Sequence, residues 1–153
     1  MREPYRHLDL LSYSTTLAES FKNTTGKELL NAGSPEQLAA GLYHAPFALV
    51  SHGIEPDPVF CYANKTAQDL WAMDWDVFVT LPSRLSAQPD EQEERQRLLA
   101  LAQRQGFVDN YSGIRITADG RRFRIKDCIL WNVSDSNGKR VGQAAVFDQW
   151  QFL

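Results

Sequence analysis

Residues 121–133 alternate in the manner of an extended strand. Phe123, Ile125, Ile129, Trp131 and Val133 share one parity, while Arg122, Arg124 and Lys126 take the other at the strand's start. A period of two puts the sets on opposite sides of a sheet, so the pattern calls for a sheet with one covered face. Asp119-Gly120 before it is a compact hairpin signal, and Asp135-Ser136-Asn137-Gly138 after it makes a slightly longer turn. Three antiparallel strands follow, near 107–118, 121–133 and 140–150. Asp127 alone breaks the pattern by falling on the apolar side. A bulge there, or a partner inside, would resolve the conflict.

Upstream, the spacing changes to that of helices. Leu10, Tyr13, Leu17 and Phe21 recur at helical intervals over residues 6–21, Leu8 and Leu11 widen the stripe, and Asn23-Thr24-Thr25-Gly26 stops it. Ser34-Pro35-Glu36-Gln37 is a helix start, with Ser34 as cap, Pro35 at the first position and Gln37 completing a capping box. This helix should run to about His44, before Pro46. Two short apolar runs, Phe47–Ser51 and Val59–Tyr62, flank the turn-forming segment 52–58 and read as paired strands. Asn64 is placed to cap a short helix carrying Ala67, Leu70 and Trp71, and Asp74 another turn around Val77 and Phe78. Pro89 and the acids after it start a longer helix, with Leu98, Leu101 and Ala102 facing inward and Gly106 ending it. Glu91–Arg95 and Glu93–Arg97 are spaced as four-apart ion pairs.

Composition narrows the class. At 153 residues, with 43% hydrophobic and 23% charged side chains, the chain fits one folded domain rather than a disordered or fibrous one. A net charge of −3 lacks the electrostatic footprint of a nucleic-acid binder, so the alternating run Arg121–Lys126 is a solvated sheet face and no nucleic-acid partner is expected. No apolar run approaches the ~20 residues that cross a bilayer, so no membrane partner is expected. Met1–Arg6 has no apolar stretch of signal-peptide type, and the unclustered Cys61 and Cys128 suit a reducing compartment; the expectation is cytoplasmic.

Two strands, short helices, one longer helix and three long strands describe an α+β domain with a five-stranded antiparallel sheet. That order is the order of the PAS fold, in which short helices cover one face. A cone-shaped fold of the nuclear-transport-factor-2-like type is the rival, and the short helices between the second and third strands favour PAS. Residues 29–153 are expected to form this domain and residues 1–28 a helical extension.

Specific words support the same reading. Ala45-Pro46-Phe47, Ser51-His52-Gly53, Tyr62-Ala63-Asn64, Leu81-Pro82-Ser83-Arg84-Leu85-Ser86 and Gly106-Phe107 occur in that order. Tyr111-Ser112-Gly113-Ile114-Arg115, Gly120-Arg121-Arg122-Phe123, Trp131-Asn132, Gly142-Gln143-Ala144-Ala145 and Trp150 follow. From about Leu29 to the C-terminus this series resembles the MEKHLA domain, a PAS-related family of free-standing bacterial proteins and of the C-termini of plant class III homeodomain–leucine zipper factors. In the plant factors the domain regulates dimerisation in response to a signal; for this chain the resemblance implies a sensory or interaction module and supplies no ligand. DNA binding does not transfer, because this chain has no homeodomain helix or zipper.

Candidate chemistry is sparse. His7, His44, His52, Cys61 and Cys128 show no metal-ligand spacing. The Asn-Cys-Arg-Phe-Leu-like motif of light–oxygen–voltage photosensors is absent. Haem is not expected either, since His44 precedes the first strand, and the cofactor is left unknown. Ser51-His52 are neighbours on a strand and point to opposite faces, so no catalytic triad is expected. The aromatic residues are more informative. In a PAS-like pocket Phe47, Tyr62, Trp71, Phe78, Phe123 and Trp131 are candidates to line the space, with Asn64, Arg84, Asp127 and Gln143 as polar anchors. Such a site would take an apolar or aromatic small molecule, and rings filling their own pocket are the alternative. For Arg84 the favoured reading is a pin for its own loop, paired with an Asp or Glu, and an anion clasp is the alternative.

Three functional readings stand. The first is a non-catalytic sensory or regulatory module binding a small molecule, a protein partner or both, with a homodimer through Leu10, Tyr13, Leu17 and Phe21 unless that helix folds back over the sheet. The second is an enzyme of isomerase or hydrolase type, using Asp127 or Asp109 as a desolvated general base with Tyr111 or Arg84 polarising a carbonyl. The third is an assembly partner that binds protein through the outer sheet face.

Overall fold

The computed structural model describes Pro4 and residues 8–153; His7 and the side chain of Leu8 lie outside the described residues. Helix α1 (Leu8–Thr25) ends at Gly26, whose φ of 78° breaks the helical path. In α2 (Pro35–Tyr43), Ser34 accepts from the Gln37 N–H and the Gln37 side chain reaches back to the Gly33 N–H. Strands β1 (Ala48–His52) and β2 (Phe60–Ala63) pair antiparallel. Next come α3 (Lys65–Trp71), capped by Asn64, and α4 (Trp75–Phe78), capped by Asp74. A 3₁₀ turn (Ser83–Ser86) leads into α5 (Pro89–Gln105). The chain closes with β3 (Phe107–Ile116), β4 (Arg122–Ser134), β5 (Arg140–Phe147) and β6 (Gln149–Phe152).

All pairings are antiparallel, in the order β2-β1-β5-β4-β3, with β6 also on β4. Five strands are expected from the sequence and six are found. The last, expected unbroken over 140–150, is interrupted at Asp148; its two parts run along the same neighbour, β5 from Ile129 to Ser134 and β6 from Phe123 to Lys126.

Three irregularities decide which residues share a face. Val108 faces Leu130 and Tyr111 faces Cys128, so Asp109 and Asn110 oppose Ile129 alone. Gly113 then faces Ile125, so Ser112 opposes both Lys126 and Asp127. Each of these bulges uses one left-handed residue, Asn110 at φ 55° and Asp127 at φ 51°, types whose short polar side chains tolerate that conformation. The second bulge turns Asp127 out to solvent and shifts the alternation by one. Phe123 and Ile125 therefore join Cys128 and Leu130 on the inner face, while Ile129, Trp131 and Val133 point to the outer one. On β2, Ser51 faces Tyr62 but His52 faces Phe60, which leaves Cys61 as the extra residue and sends Phe60 inward and Tyr62 outward.

The two faces have separate cores. Helices α3, α4 and α5 cover the inner face, where Trp71 meets Phe123, Phe147 and Phe78 edge-on at centroid distances of 5.1, 6.0 and 5.7 Å. Such pairs add to the burial of the rings themselves. The outer face is covered by α1 and α2, with Leu17, Phe21 and Leu42 against Tyr62, Trp131 and Val133. The N-terminal helix thus folds back over the sheet. The apolar stripe that motivates a homodimer is used within the chain, since Leu17 is fully buried and Phe21 stacks edge-on with Trp131 at 4.8 Å. The same helices cover the outer face around Tyr62, Trp131 and Val133, while at the start of β4 Arg122 and Arg124 stay exposed on it.

Candidate functional site

Between the inner face and α5 lies a cavity of about 40 Å³. Val50, Phe60, Ile125, Leu130 and Phe147 make its apolar wall, and His52, Arg95, Tyr111, Arg115 and Gln143 bring polar groups to it. His52, Arg95, Leu99 and Gln143 also line an outer cleft of about 500 Å³, which continues to Arg84 and Arg140. These four residues stand between an apolar cavity and a larger polar cleft.

Each polar group arrives for a local reason. Arg95 stands three, four and seven residues before Leu98, Leu99 and Ala102, on the buried side of α5. Only 6% of Arg95 is exposed, and its Nη2 donates to Ser83 Oγ at 2.7 Å. Glu91 therefore does not pair with it, and Arg97 bonds Glu94 one turn back instead of Glu93. Burial, and then the nearby Arg115 guanidinium, pull Arg95 down to about 10, which leaves it charged at neutral pH. Tyr111, Gly113 and Arg115 follow one another on the same side of β3. Arg115 Nη2 donates to the Tyr111 hydroxyl at 2.6 Å and Nη1 to the Ile114 carbonyl at 2.9 Å. A methyl group at Gly113 would collide with the Tyr111 hydroxyl, so glycine permits this arch. Gln143 Nε2 donates to the Leu99 carbonyl at 2.8 Å, tying β5 to α5.

His52 Nδ1 lies 2.9 Å from the Gly53 carbonyl, which can only accept, so Nδ1 carries the proton and Nε2 is an acceptor. That Nε2 is buried without a partner. Desolvation lowers His52 to about 4, against the opposing Gly53 hydrogen bond and with help from Arg95 and Arg140, so the ring is neutral at neutral pH. Trp71 also lines the cavity, and its indole N–H is likewise buried and unpaired.

Of the residues nominated from sequence, Trp71 and Gln143 line the cavity, and Phe78 and Phe123 pack behind Trp71. Arg84 sits in the outer cleft and pairs with Asp57 at 3.2 Å, pinning its own loop. Phe47, Tyr62 and Trp131 lie on the opposite face, because the bulges at Cys61 and Asp127 invert the strand phase. Asn64 is fully buried but holds the backbone rather than a pocket. Its Oδ1 accepts from the Leu49 and Ala67 N–H groups, and its Nδ2 donates to the Leu42 and Phe47 carbonyls. Asp127 and Asp109 are both exposed, so the desolvated carboxylate that the enzymatic reading needs is not there. Sequence reasoning missed His52, Arg95, Tyr111 and Arg115 as a group. The helical spacing of Arg95 with Leu98, Leu99 and Ala102 was the available signal.

The chamber holds about three water molecules. Flavin and haem need a pocket of several hundred Å³, well beyond this cavity of about 40 Å³. The residues present do not fit either group. Among the described residues no cluster of three or more His, Cys, Asp or Glu is placed to hold a metal, and no helix is long and apolar enough to cross a membrane.

Known structures share this architecture. The PAS domain of a protein from Colwellia psychrerythraea superposes with a TM-score of 0.64 at 16% identity, covering 77% of this chain and 95% of its own. A light–oxygen–voltage domain studied with a flavin analogue gives 0.60 at 16% identity, over 76% of this chain and 84% of that one. An RNA-binding light–oxygen–voltage receptor gives 0.60 at 18%, over 77% of this chain and 35% of the receptor. The fold is therefore PAS-like. In sequence, the homeobox-leucine zipper protein HOX10 of rice, Oryza sativa subspecies indica and japonica, is 26% identical over 140 residues. That alignment takes in 90% of this chain and 17% of the rice protein, so the chain spans about a sixth of these curated relatives. A model of the MEKHLA domain matches residues 11–152, from the first turns of α1 to the end of β6, and the chain belongs to the MEKHLA domain family.

Proposed function

We propose that this chain is a non-catalytic sensory or regulatory module that receives a small molecule in the inner-face cavity and passes its state to a protein partner. One observation carries the reading: two residues that line an apolar chamber behind a polar cleft, His52 and Trp71, each hold a buried hydrogen-bonding atom without a partner, Nε2 and Nε1. Buried polar atoms without partners are rare in folded proteins and mark where a ligand or ordered water completes the bonding. The PAS-like architecture supports a sensory role, and the exposure of Asp109 and Asp127 weighs against general-base chemistry.

A protein partner fits better than nucleic acid. The chain is net acidic, and part of its basic run at this hairpin is tied locally: Arg121 pairs with Asp119 and lies 4.7 Å over the Phe152 ring, and Lys126 bonds Gln151, while Arg122 and Arg124 are exposed. On this reading residues 1–28 are an extension to the domain 29–153, and its helix α1 packs on the outer face. Homodimerisation through α1 is not part of this reading. A cytoplasmic setting is, supported by the free thiols Cys61 and Cys128.

Native mass spectrometry of the protein as isolated tests the proposal, alongside an Ala145→Leu variant that fills the chamber. A bound mass carried by the wild type and lost from the folded variant is the expected result. Equal retention by both, or no retention of any small molecule offered, rejects the cavity as the receiving site.

A further inference from the structure

The chamber's charge balance is one-sided. Arg95 and Arg115 are 6% and 7% exposed, and among the described residues no Asp or Glu is buried. The carboxylates of the outer cleft are engaged elsewhere: Asp57 pairs with Arg84, and Glu55 accepts from the Val59 N–H. Two guanidiniums offer ten N–H donors in all. Among the described residues they find three protein acceptors, Ser83 Oγ, the Ile114 carbonyl and the Tyr111 hydroxyl, and none of their remaining nitrogens is fully buried, so those donors stay open to an incoming group. Trp71, another lining residue, keeps its indole N–H buried and unpaired. Buried cations without counter-charge are costly unless something neutralises them.

We infer that the cavity takes a small organic carboxylate, its anionic head between Arg95 and Arg115 and its short apolar tail against Ile125, Leu130 and Phe147. This rests on the reading of the cavity as a ligand site and adds the chemical class. The planar fork of a guanidinium matches the two oxygens of a carboxylate, and such charge-assisted pairs are the strong ones in a dry environment. The volume of about 40 Å³ suits a head group with one or two further carbons. A longer molecule passes between His52, Arg95, Leu99 and Gln143 into the cleft.

The test compares propionate with propionamide, its neutral isostere, and with sodium chloride at equal ionic strength, by titration calorimetry and thermal melting of the full chain. Propionate is expected to bind and raise the melting temperature, while amide and chloride leave it unchanged. Arg95→Gln and Arg115→Gln are each expected to weaken propionate about tenfold or more, the size of a lost charge-assisted bond. Arg95→Gln should melt no lower than wild type without ligand, since it removes a buried unneutralised charge; an arginine kept only for structure predicts a lower melting point and unchanged affinity. If Arg95→Gln does not fold, Arg115→Gln supplies the affinity comparison. Amide binding as well as propionate overturns the carboxylate class yet keeps the cavity, and chloride doing so replaces it with an inorganic anion. No binding by propionate overturns the inference by itself, and the mass-spectrometric comparison then decides separately whether the cavity receives any other molecule.

Discussion

Trp131 donates its indole N–H to Ser20 Oγ at 3.2 Å, joining the middle of β4 to α1 across the outer face. The contact makes the N-terminal helix part of the fold. With Leu17 and Phe21 beside it, α1 supplies the outer core that the sheet would otherwise expose. Leu17→Ala is expected to destabilise the protein by about 2–5 kcal/mol, the range for deleting a fully buried leucine side chain. Ser20→Ala should cost about 1–2 kcal/mol through the unpaired indole N–H. Urea unfolding followed by tryptophan fluorescence measures both, and a loss below about 0.5 kcal/mol for Leu17→Ala would show that α1 does not hold the sheet.

Asn64 closes four hydrogen bonds from inside the protein, two through each end of its amide. Asn64→Ala strands the Leu49 N–H and takes the amide donors from the Leu42 and Phe47 carbonyls, leaving Leu42 only its longer bond from the Ala45 N–H at 3.4 Å, at an expected cost of about 3 kcal/mol. Asn64→Asp keeps the acceptor but removes both donors and sets a carboxyl against two carbonyls. Its melting temperature should fall further as pH rises from 4 to 7 and the carboxyl ionises. A pH-independent difference from wild type would contradict the buried, donor-dependent role.

His52 sets a pH dependence whose sign follows from its lowered value. The unfolded chain binds a proton on this ring near pH 6.5, whereas the folded protein resists protonation down to about 4. Between those values the unfolded state holds more protons, so this group's contribution falls as pH drops from about 6.5 to about 4 and levels off below that. The full span corresponds to about 3 kcal/mol. Stability of His52→Gln, measured over the same range, should lose this part of the slope. Parallel wild-type and variant profiles would mean that the ring is not desolvated in the folded protein.

The two thiols should be inert while the protein is folded. Burial pushes the Cys128 thiol up to about 12 against the opposing pull of Arg115, and burial also raises Cys61. The thiolate is the reactive form, so both should escape an aromatic disulfide reagent at pH 8 and react together on unfolding. Rapid labelling of Cys61 in the native state would show that the contacts between α1 and the bulge of β2 open readily.

Helix caps, turns and the period-two strands were legible from the chain itself, because each depends on residues a few positions apart. Ser34, Asn64 and Asp74 cap the helices that follow them, and Asp119-Gly120 and Asp135–Gly138 turn the chain as their side chains demand. The conflict at Asp127 was visible too, and the bulge that resolves it turns the carboxylate to solvent. The tertiary structure alone decided the faces. A one-residue bulge at Cys61 or Asp127 reverses every side chain beyond it, so Tyr62 and Trp131 pack under α1 while Phe60 and Leu130 face the cavity. It also decided the charge of the site. Arg95 has the sequence spacing of both an exposed ion pair and an inner helix face, and the packing of α5 against β3 and β4 selects the second.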